Sequence, residues 1–474
     1  MEFLIALFAI AGLVWLVPVI QRGRLIAVAL AMLGLGTVFG PDFFHLNGPI
    51  QLSIDRVVWL GMFPLAAILW RRGMIQFPRL HRIDYLLLGF VGWSFISAAL
   101  GDPPPTGTPP VARWLFYILM PAGMYAIARS NRIQQDEVHW ISRSAILLAV
   151  YLAVTAVLEI RGLHWAVFPK FIINAEQWEF FGRGRGPLMN PSGNGILMSI
   201  GLVATSIGMV FAAGRHKLVY LVLTLMILVG VYATLTRSAW MGGVAAIGVV
   251  LFVHSSRWQR VLALAVVVLI GGASVAGLKD QLVRLKRDKN LTAEDAEKSL
   301  KLRPLLAVVA WEMFKDRPLV GHGYGHYFAN NDPYHSERGY ELPLEHARTY
   351  AQHNVFLSIL VDTGLIGFSL FTSTLLMLAG IGWRLAREAR QKCEARWVGL
   401  MMLGSIIAYV CNGMFQDVMI IPMIHMFLFF LAGVTVTVYQ TGLTAVHSID
   451  RTRMSLNSAH IGAPACNWSA SKPL

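Results

Sequence analysis

Apolar runs of about twenty residues, separated by short polar or basic stretches, recur along almost the whole of this 474-residue chain. About twenty residues is what a helix needs to cross a hydrocarbon core of about 30 Å. In lipid no water meets the backbone N–H and C=O groups, so each run has to bond them internally, as a helix does. Buried strands would be only about 4–8 residues long and bounded by turn residues, whereas these runs are longer and rich in Leu, Ala and Met. Spans are expected at Phe3–Ile20, Leu25–Gly40, Ile54–Trp70, Ile83–Leu100, Val111–Ala128, Ile141–Leu158, Leu188–Ala213, Leu218–Thr234, Ala239–His254, Val261–Gly277, Val355–Trp383, Trp397–Cys411 and Val418–Tyr439. The fold class is therefore all-α: a polytopic transmembrane helical bundle of about 12–13 spans, twelve if the first segment lies along the interface.

Composition agrees. Charged residues are 14% of the chain and hydrophobic ones 56%, with a mean hydropathy of +0.57. A soluble domain carries about a quarter charged residues to cover its surface. The net charge of +14 would suit a nucleic-acid binder, but its placement argues against that partner. With the N-terminus outside, one set of connectors holds Arg22, Arg24, Arg71, Arg72, Arg79, Arg82, Arg129, Arg132, Arg143, Arg215, Lys217, Arg257, Arg260, Arg384, Arg387, Arg390, Lys392 and Arg396, whereas the short connectors Pro41–Ser53 and Gly101–Pro110 hold no Lys or Arg. That asymmetry orients a membrane protein of the inner-membrane type, its basic connectors and tail in the cytoplasm. No cleavable signal peptide is evident, since only Glu2 precedes the first apolar run. Cys393, Cys411 and Cys466 have no redox or metal spacing.

Four regions follow: N-terminal membrane helices over 1–277, a large periplasmic loop over 278–352, C-terminal membrane helices over 353–440, and a polar cytoplasmic tail over 441–474. Long translocated loops escape the charge rule, so the many Lys and Arg residues of Leu278–Gln352 leave a basic outer surface. Within that loop Thr292 reads as an N-cap followed by Glu294, Asp295 and Glu297, which suit a helix start. A second helix is expected from Pro304, a residue tolerated in a first turn, to about Phe314. Its apolar face from Leu305 through Val309 to Met313 would lie on the membrane or pack against the bundle. Gly321, Gly323 and Gly325 predict a flexible or tightly turned segment, and Asn330–Tyr334 another turn.

Four clusters can carry chemistry. In GRGRGPLMNPSGNG, Arg183 and Arg185 can grip phosphate oxygens bidentately, the glycines permit close approach, and Asn190 sits at a helix mouth; lipid head groups are the other partner such arginines take. Arg237 in LTRSAW stands between two apolar runs, where an arginine is costly unless paired, snorkelled or functional. Arg303 and Trp311 are eight residues apart on a loop helix, roughly on one side two turns apart. His353 and Asn354 stand where the polar loop turns into a long apolar helix. There an imidazole can take a proton from a hydroxyl and an amide can orient a substrate, although a residue here can also simply cap the helix. His322, His326, His335 and His346 complete a histidine set with neither HExxH nor a helping cysteine, so no metal site is expected.

Outer-side arginines beside a base at the membrane rim fit a substrate with its tail in the bilayer, a diphosphate at the interface and a polar headgroup outside. Arginines would then neutralise the diphosphate, in place of the divalent metal many diphosphate enzymes use.

The chain resembles the O-antigen ligase and polymerase superfamily, which includes lipopolysaccharide O-antigen ligases, Wzy-type polymerases and pilin oligosaccharyltransferases. The blocks that carry the resemblance are RGRGPLMNP from Arg183 to Pro191, TRSAW at Thr236–Trp240, Arg303 through Gly325, and HNVFLSILVDTGLIG at His353–Gly367. The chain departs from the pattern at Ser192 and His322. The resemblance implies a metal-independent glycosyltransferase without a cofactor. Its donor would be an undecaprenyl-diphosphate-linked glycan, displayed in the periplasm, and its acceptor a hydroxyl on lipid, glycan or protein. Arg237 and Arg303 would bind the diphosphate and His353 would activate or position the acceptor, with Arg183 or Arg185 supplying a further arginine. An O-antigen ligase-like role is favoured over a polymerase of the same superfamily. A small-solute or inorganic-carbon transporter lacks its sign, a matched pair of broken helices. A non-catalytic envelope assembly protein would leave His353 and Arg237 unused.

Overall fold

A computed structural model of the protein describes residues 24–40, 43, 45–46, 52–76, 78–100, 108–177, 179–261, 293–336, 339–387 and 393–442. In chain order the membrane-type helices are α1 (Leu25–Phe39), α2 (Ile54–Arg71), α3 (Arg82–Ala99), α4 (Pro110–Arg129), α5 (Gln135–Ile160), α6 (Pro191–Phe211), α7 (Arg215–Ala233) and α8 (Arg237–His254). The loop contributes α9 (Ala293–Asp316) and α10 (Tyr327–Asn330), and the chain closes with α11 (Val355–Arg387), α12 (Cys393–Gly413) and α13 (Pro422–Thr441). Among the described residues, eight helices are long and apolar enough to cross a membrane: α4 to α8 and α11 to α13. The protein is an all-α polytopic helical bundle. Its only described strand pairing joins His45–Leu46 to Leu52–Ser53, an antiparallel clasp in the connector between α1 and α2.

Eleven of the thirteen expected spans coincide with described helices, while Phe3–Ile20 and Val261–Gly277 fall outside the described residues apart from Val261. In the loop, the two expected helices are one. Ala293–Asp316 runs unbroken with Pro304 inside it, and Thr292 lies outside the described residues. A proline there removes one helical hydrogen bond. The loss is offset by packing, because Leu305, Leu306, Val309, Ala310 and Met313 bury a continuous stripe against Tyr327, Leu344, Ala347 and Val361. Asn330–Tyr334, expected as a turn, ends α10 and enters a 3-10 helix over Asp332–Ser336.

The bundle is built around α6 and α13, which hardly reach the surface. Helix α6 packs against α5, α7, α8 and α12, while α13 lies along α4. In lipid there is no hydrophobic drive between helices, so close approach through small residues does the work. At Gly195 of α6 an added Cβ would overlap Ala239 of α8, which draws those helices together next to Arg237. At one end of the bundle Arg129 pairs with Asp84 at 2.9 Å and bonds Gln440 and the carbonyl of Arg79, tying together the ends of α3, α4 and α13. That same end holds the Arg24–Asp136 pair and Arg396 beside His254. The loop lies at the opposite end, where Tyr324 N donates to Ser97 Oγ near the far end of α3.

Candidate functional site

The loop is fastened to a membrane helix that has been broken to receive it. Within α11, Gly364 adopts φ 64°, ψ −168°, interrupting the helix and leaving carbonyls without helical partners. The loop takes them up: His322 N donates to Val361 O (2.8 Å) and Gly323 N to Asp362 O (3.0 Å). In the other direction Leu365 N donates to Pro318 O (2.9 Å) and Ile366 N to Leu319 O (3.3 Å). Trp93 Nε1 and Ser97 Oγ of α3 add bonds to the carbonyls of Thr363 and Asp362. Gly321, Gly323 and Gly325 all have positive φ, so the expected tight turning is present. The result fixes the C-terminal end of α9, and with it Arg303, relative to His353 at the mouth of α11.

Arg303, Arg237 and His353 are electrostatic neighbours. Burial first, and then repulsion by Arg303, holds the His353 imidazole below the ordinary histidine range. Burial and the charge of Arg237 likewise lower Arg303. Arg303 extends its guanidinium over the ring of Phe415, 5.6 Å from the centroid. His353 sits at φ 47°, the left-handed region that a non-glycine residue rarely occupies.

Asn354 caps α11: its Oδ1 accepts from Phe356 N (2.9 Å) and Leu357 N (3.1 Å), while Nδ2 donates to Met414 O (3.0 Å). Asn190 does the same for α6, accepting from Ser192 N and Gly193 N at 3.0 and 3.1 Å. Arg183 is mostly buried and lies over Phe180 at 5.7 Å. Its segment is tied to the break between α7 and α8, since Gly184 N donates to Ala233 O, four residues before Arg237.

Arg185, expected beside Arg183 as a phosphate ligand, has a different task. Its Nε, Nη1 and Nη2 donate to the carbonyls of Ile172, Gln177, Glu179 and Asn174, and the side chain is 1% exposed. Those five bonds match the donor capacity of a guanidinium, so Arg185 organises the loop before α6. Trp311 also stands apart. It is 48% exposed and packs beside Phe314, because eight residues advance about 80° round a helix and carry it off the Arg303 face.

Sequence reading missed two features. One is Phe415, which has no motif around it. The other is a buried polar seam below the site, where Asp362, Asp417 and Tyr324 face Arg113 electrostatically. Asp417 accepts from Ser358 Oγ and Met419 N, and burial pushes its carboxyl up against the opposing pull of Arg113. An acid inside the apolar stretch around Asp362 was the available signal, since ionisable residues at membrane depth are rare. The histidines of the loop are dispersed. Ring nitrogens of His322, His326 and His335 contact the carbonyls of Met313, Tyr324 and Leu344, and no group of three or more metal-type side chains occurs among the described residues.

Three helices enter their first turn through a left-handed, non-glycine residue: Met189 before α6, Leu235 before α8 and His353 before α11. Such strain clusters where a surrounding structure over-determines a functional geometry.

Residues 221–372 match the family model described as O-antigen ligase. An O-antigen ligase of Salmonella typhimurium strain LT2 is 25% identical over 218 residues, a stretch that covers 44% of this chain and 51% of the relative. The chain thus spans about half the length of the curated relative it matches. Arg237, Arg303 and His353 fall inside the family match, and Arg183, Arg185 and Asn190 precede it. The family model and this relative together make the chain similar to O-antigen ligases, and the matched segment 221–372 is the one that carries Arg237, Arg303 and His353.

Proposed function

We propose that the protein transfers a saccharide from an undecaprenyl-diphosphate-linked donor to an acceptor hydroxyl at the periplasmic face of the inner membrane, as an O-antigen ligase does. The observation that carries this reading is the meeting of Arg237, Arg303 and His353 at the end of the bundle where the loop docks. A diphosphate at the membrane surface would take up the repulsion between the two guanidinium groups, and its lipid tail would lie in the bilayer beside α8. The acceptor oxygen attacks the anomeric carbon, the carbon–oxygen bond to the diphosphate breaks, and its electron pair passes to the departing phosphate oxygen. Arg237 and Arg303 stabilise that charge as it develops. His353, held neutral by its surroundings, takes the acceptor proton. In this reading the two arginines do the electrostatic work that a divalent ion does elsewhere.

The test is purified protein in proteoliposomes with lipid-linked glycan donor and either a lipid A–core or a glycan acceptor. Release of undecaprenyl diphosphate with modification of the lipid A–core is expected, and it should persist after exhaustive EDTA treatment. Extension of the glycan acceptor alone would make the protein a polymerase. Normal transfer by a folded His353→Ala protein would remove the histidine from the mechanism, and activity lost to EDTA and restored by Mg²⁺ or Zn²⁺ would overturn metal independence.

A further inference from the structure

Arg303 has an electrostatic problem that its own helix does not solve. The neighbours acting on its charge among the described residues are Arg237, which repels it, and His353, which gains positive charge on protonation. A long, flexible side chain in that position relaxes away from the cluster unless something holds it. The group found against the guanidinium is the face of Phe415, at 5.6 Å, inside the range of about 6 Å over which an aromatic quadrupole attracts a cation.

Phe415 is well placed for that task. It belongs to the connector between α12 and α13, and the residue before it, Met414, receives Asn354 Nδ2 through its carbonyl. Two positions on, Asp417 ties the same connector to Ser358 of α11 at 3.1 Å. One short segment therefore contacts the loop arginine on one side and the His353–Asn354 mouth of α11 on the other. A shift of the connector moves both together.

We propose that Phe415 is a positioning residue, whose ring holds the Arg303 guanidinium toward Arg237 and His353 against their mutual repulsion. It rests on the reading of Arg303 as a diphosphate ligand for its effect on transfer, but not for the effect on Arg303 itself. An uncharged, apolar replacement of similar volume keeps the packing and loses the ring face, so packing and ring electrostatics can be separated.

Two measurements on Phe415→Leu and Phe415→Tyr test it. The first is the rate at which phenylglyoxal modifies Arg303 in the full-length protein without substrate, followed by peptide mass spectrometry. Phe415→Leu should raise that rate several-fold, and Phe415→Tyr should match the wild type. The second is glycan transfer, in which Phe415→Leu should raise the donor KM by about twofold to thirtyfold, the span of a cation–π contact from exposed to desolvated. Phe415→Tyr should restore it, while kcat changes less than KM. Unchanged Arg303 labelling in Phe415→Leu overturns the proposal, as does a Tyr variant impaired as much as the Leu variant. Should the wild type transfer no glycan, the proposed function fails, and the labelling still decides the role of Phe415. If Phe415→Leu does not give folded protein, Phe415→Met against Phe415→Trp makes the same comparison.

Discussion

Asn354 carries the cap of α11 through Oδ1 and reaches Met414 O with Nδ2, so His353, one residue earlier, is spared the capping role. Either of the two could have been read as a cap from the sequence. Their division of labour leaves the imidazole beside Arg303 and makes the amide a brace between α11 and the connector after α12.

It follows that Asn354→Ala should lower stability by about 1 kcal/mol for the cap alone, with a further loss from the bond to Met414. Asn354→Ser, which keeps a capping oxygen, should recover most of the first part. Thermal unfolding in detergent reads both. Wild-type stability together with lost donor affinity in Asn354→Ala would instead make the amide a substrate contact.

The pH dependence has a definite sign. A general base works only when deprotonated, so transfer should fall as pH drops through the pKa of His353. Burial and Arg303 both disfavour the imidazolium, so the acid-side inflection should lie below the ordinary value of 6.5. Arg303→Gln should move the titration of His353 back upward, because one of the two causes is gone. Diethyl pyrocarbonate labelling of His353 across pH measures this without any need for activity. An inflection above the ordinary value in the wild type would contradict it.

Replacing Arg237 or Arg303 by Lys should slow transfer by about tenfold to a hundredfold, the loss expected when one charged hydrogen bond goes. An ammonium is a point charge and does not reproduce the planar fork that meets two phosphate oxygens. Single-turnover transfer with saturating donor, alongside donor affinity, checks this. A Lys variant within twofold of wild type at either position would show that charge alone suffices there.

Arg183 and Arg185 should separate cleanly. Arg185→Met removes five bonds to four backbone carbonyls, that of Ile172 buried, and should cost stability or yield, since an orphaned buried acceptor costs about 1–3 kcal/mol. Arg183→Met should weaken donor binding with a smaller effect on stability. Size-exclusion profile, thermal midpoint and donor affinity on both variants distinguish the two roles. A well-folded Arg185→Met protein with selectively weakened donor binding would return Arg185 to the phosphate site.

These contrasts show what the sequence carried and what it did not. Apolar run length predicted the helices because the bilayer imposes that length on any span, and eleven runs emerged close to where they were expected. The charged blocks pointed to Arg237, Arg303 and His353 because arginine and histidine at a membrane boundary need a reason to be there. What stayed hidden depended on tertiary contacts. Pro304 looked like a helix start, as the residues that cover the buried stripe and keep α9 continuous, Tyr327, Leu344, Ala347 and Val361, are distant in sequence. Arg185 looked equivalent to Arg183 until the carbonyls of Ile172, Asn174, Gln177 and Glu179 closed round it. Phe415 had no signature, since a single aromatic in a connector is unremarked until a cation lies on its face.

The break at Gly364 sets a rule for exchanging parts between relatives. Carbonyls of Val361 and Asp362 pair with loop amides, and those of Pro318 and Leu319 with amides of α11, so neither strip is complete alone. An added Cβ at Gly364 would collide with the Leu319 carbonyl, which leaves the seam no slack. A chimera that grafts only a foreign loop would meet a mismatched receiving edge, whereas a graft carrying 318–325 together with 361–366 transfers both halves of the joint. The modular unit of this protein is thus the loop with its stretch of split helix, and its natural cut points lie inside α11 as well as in the loop.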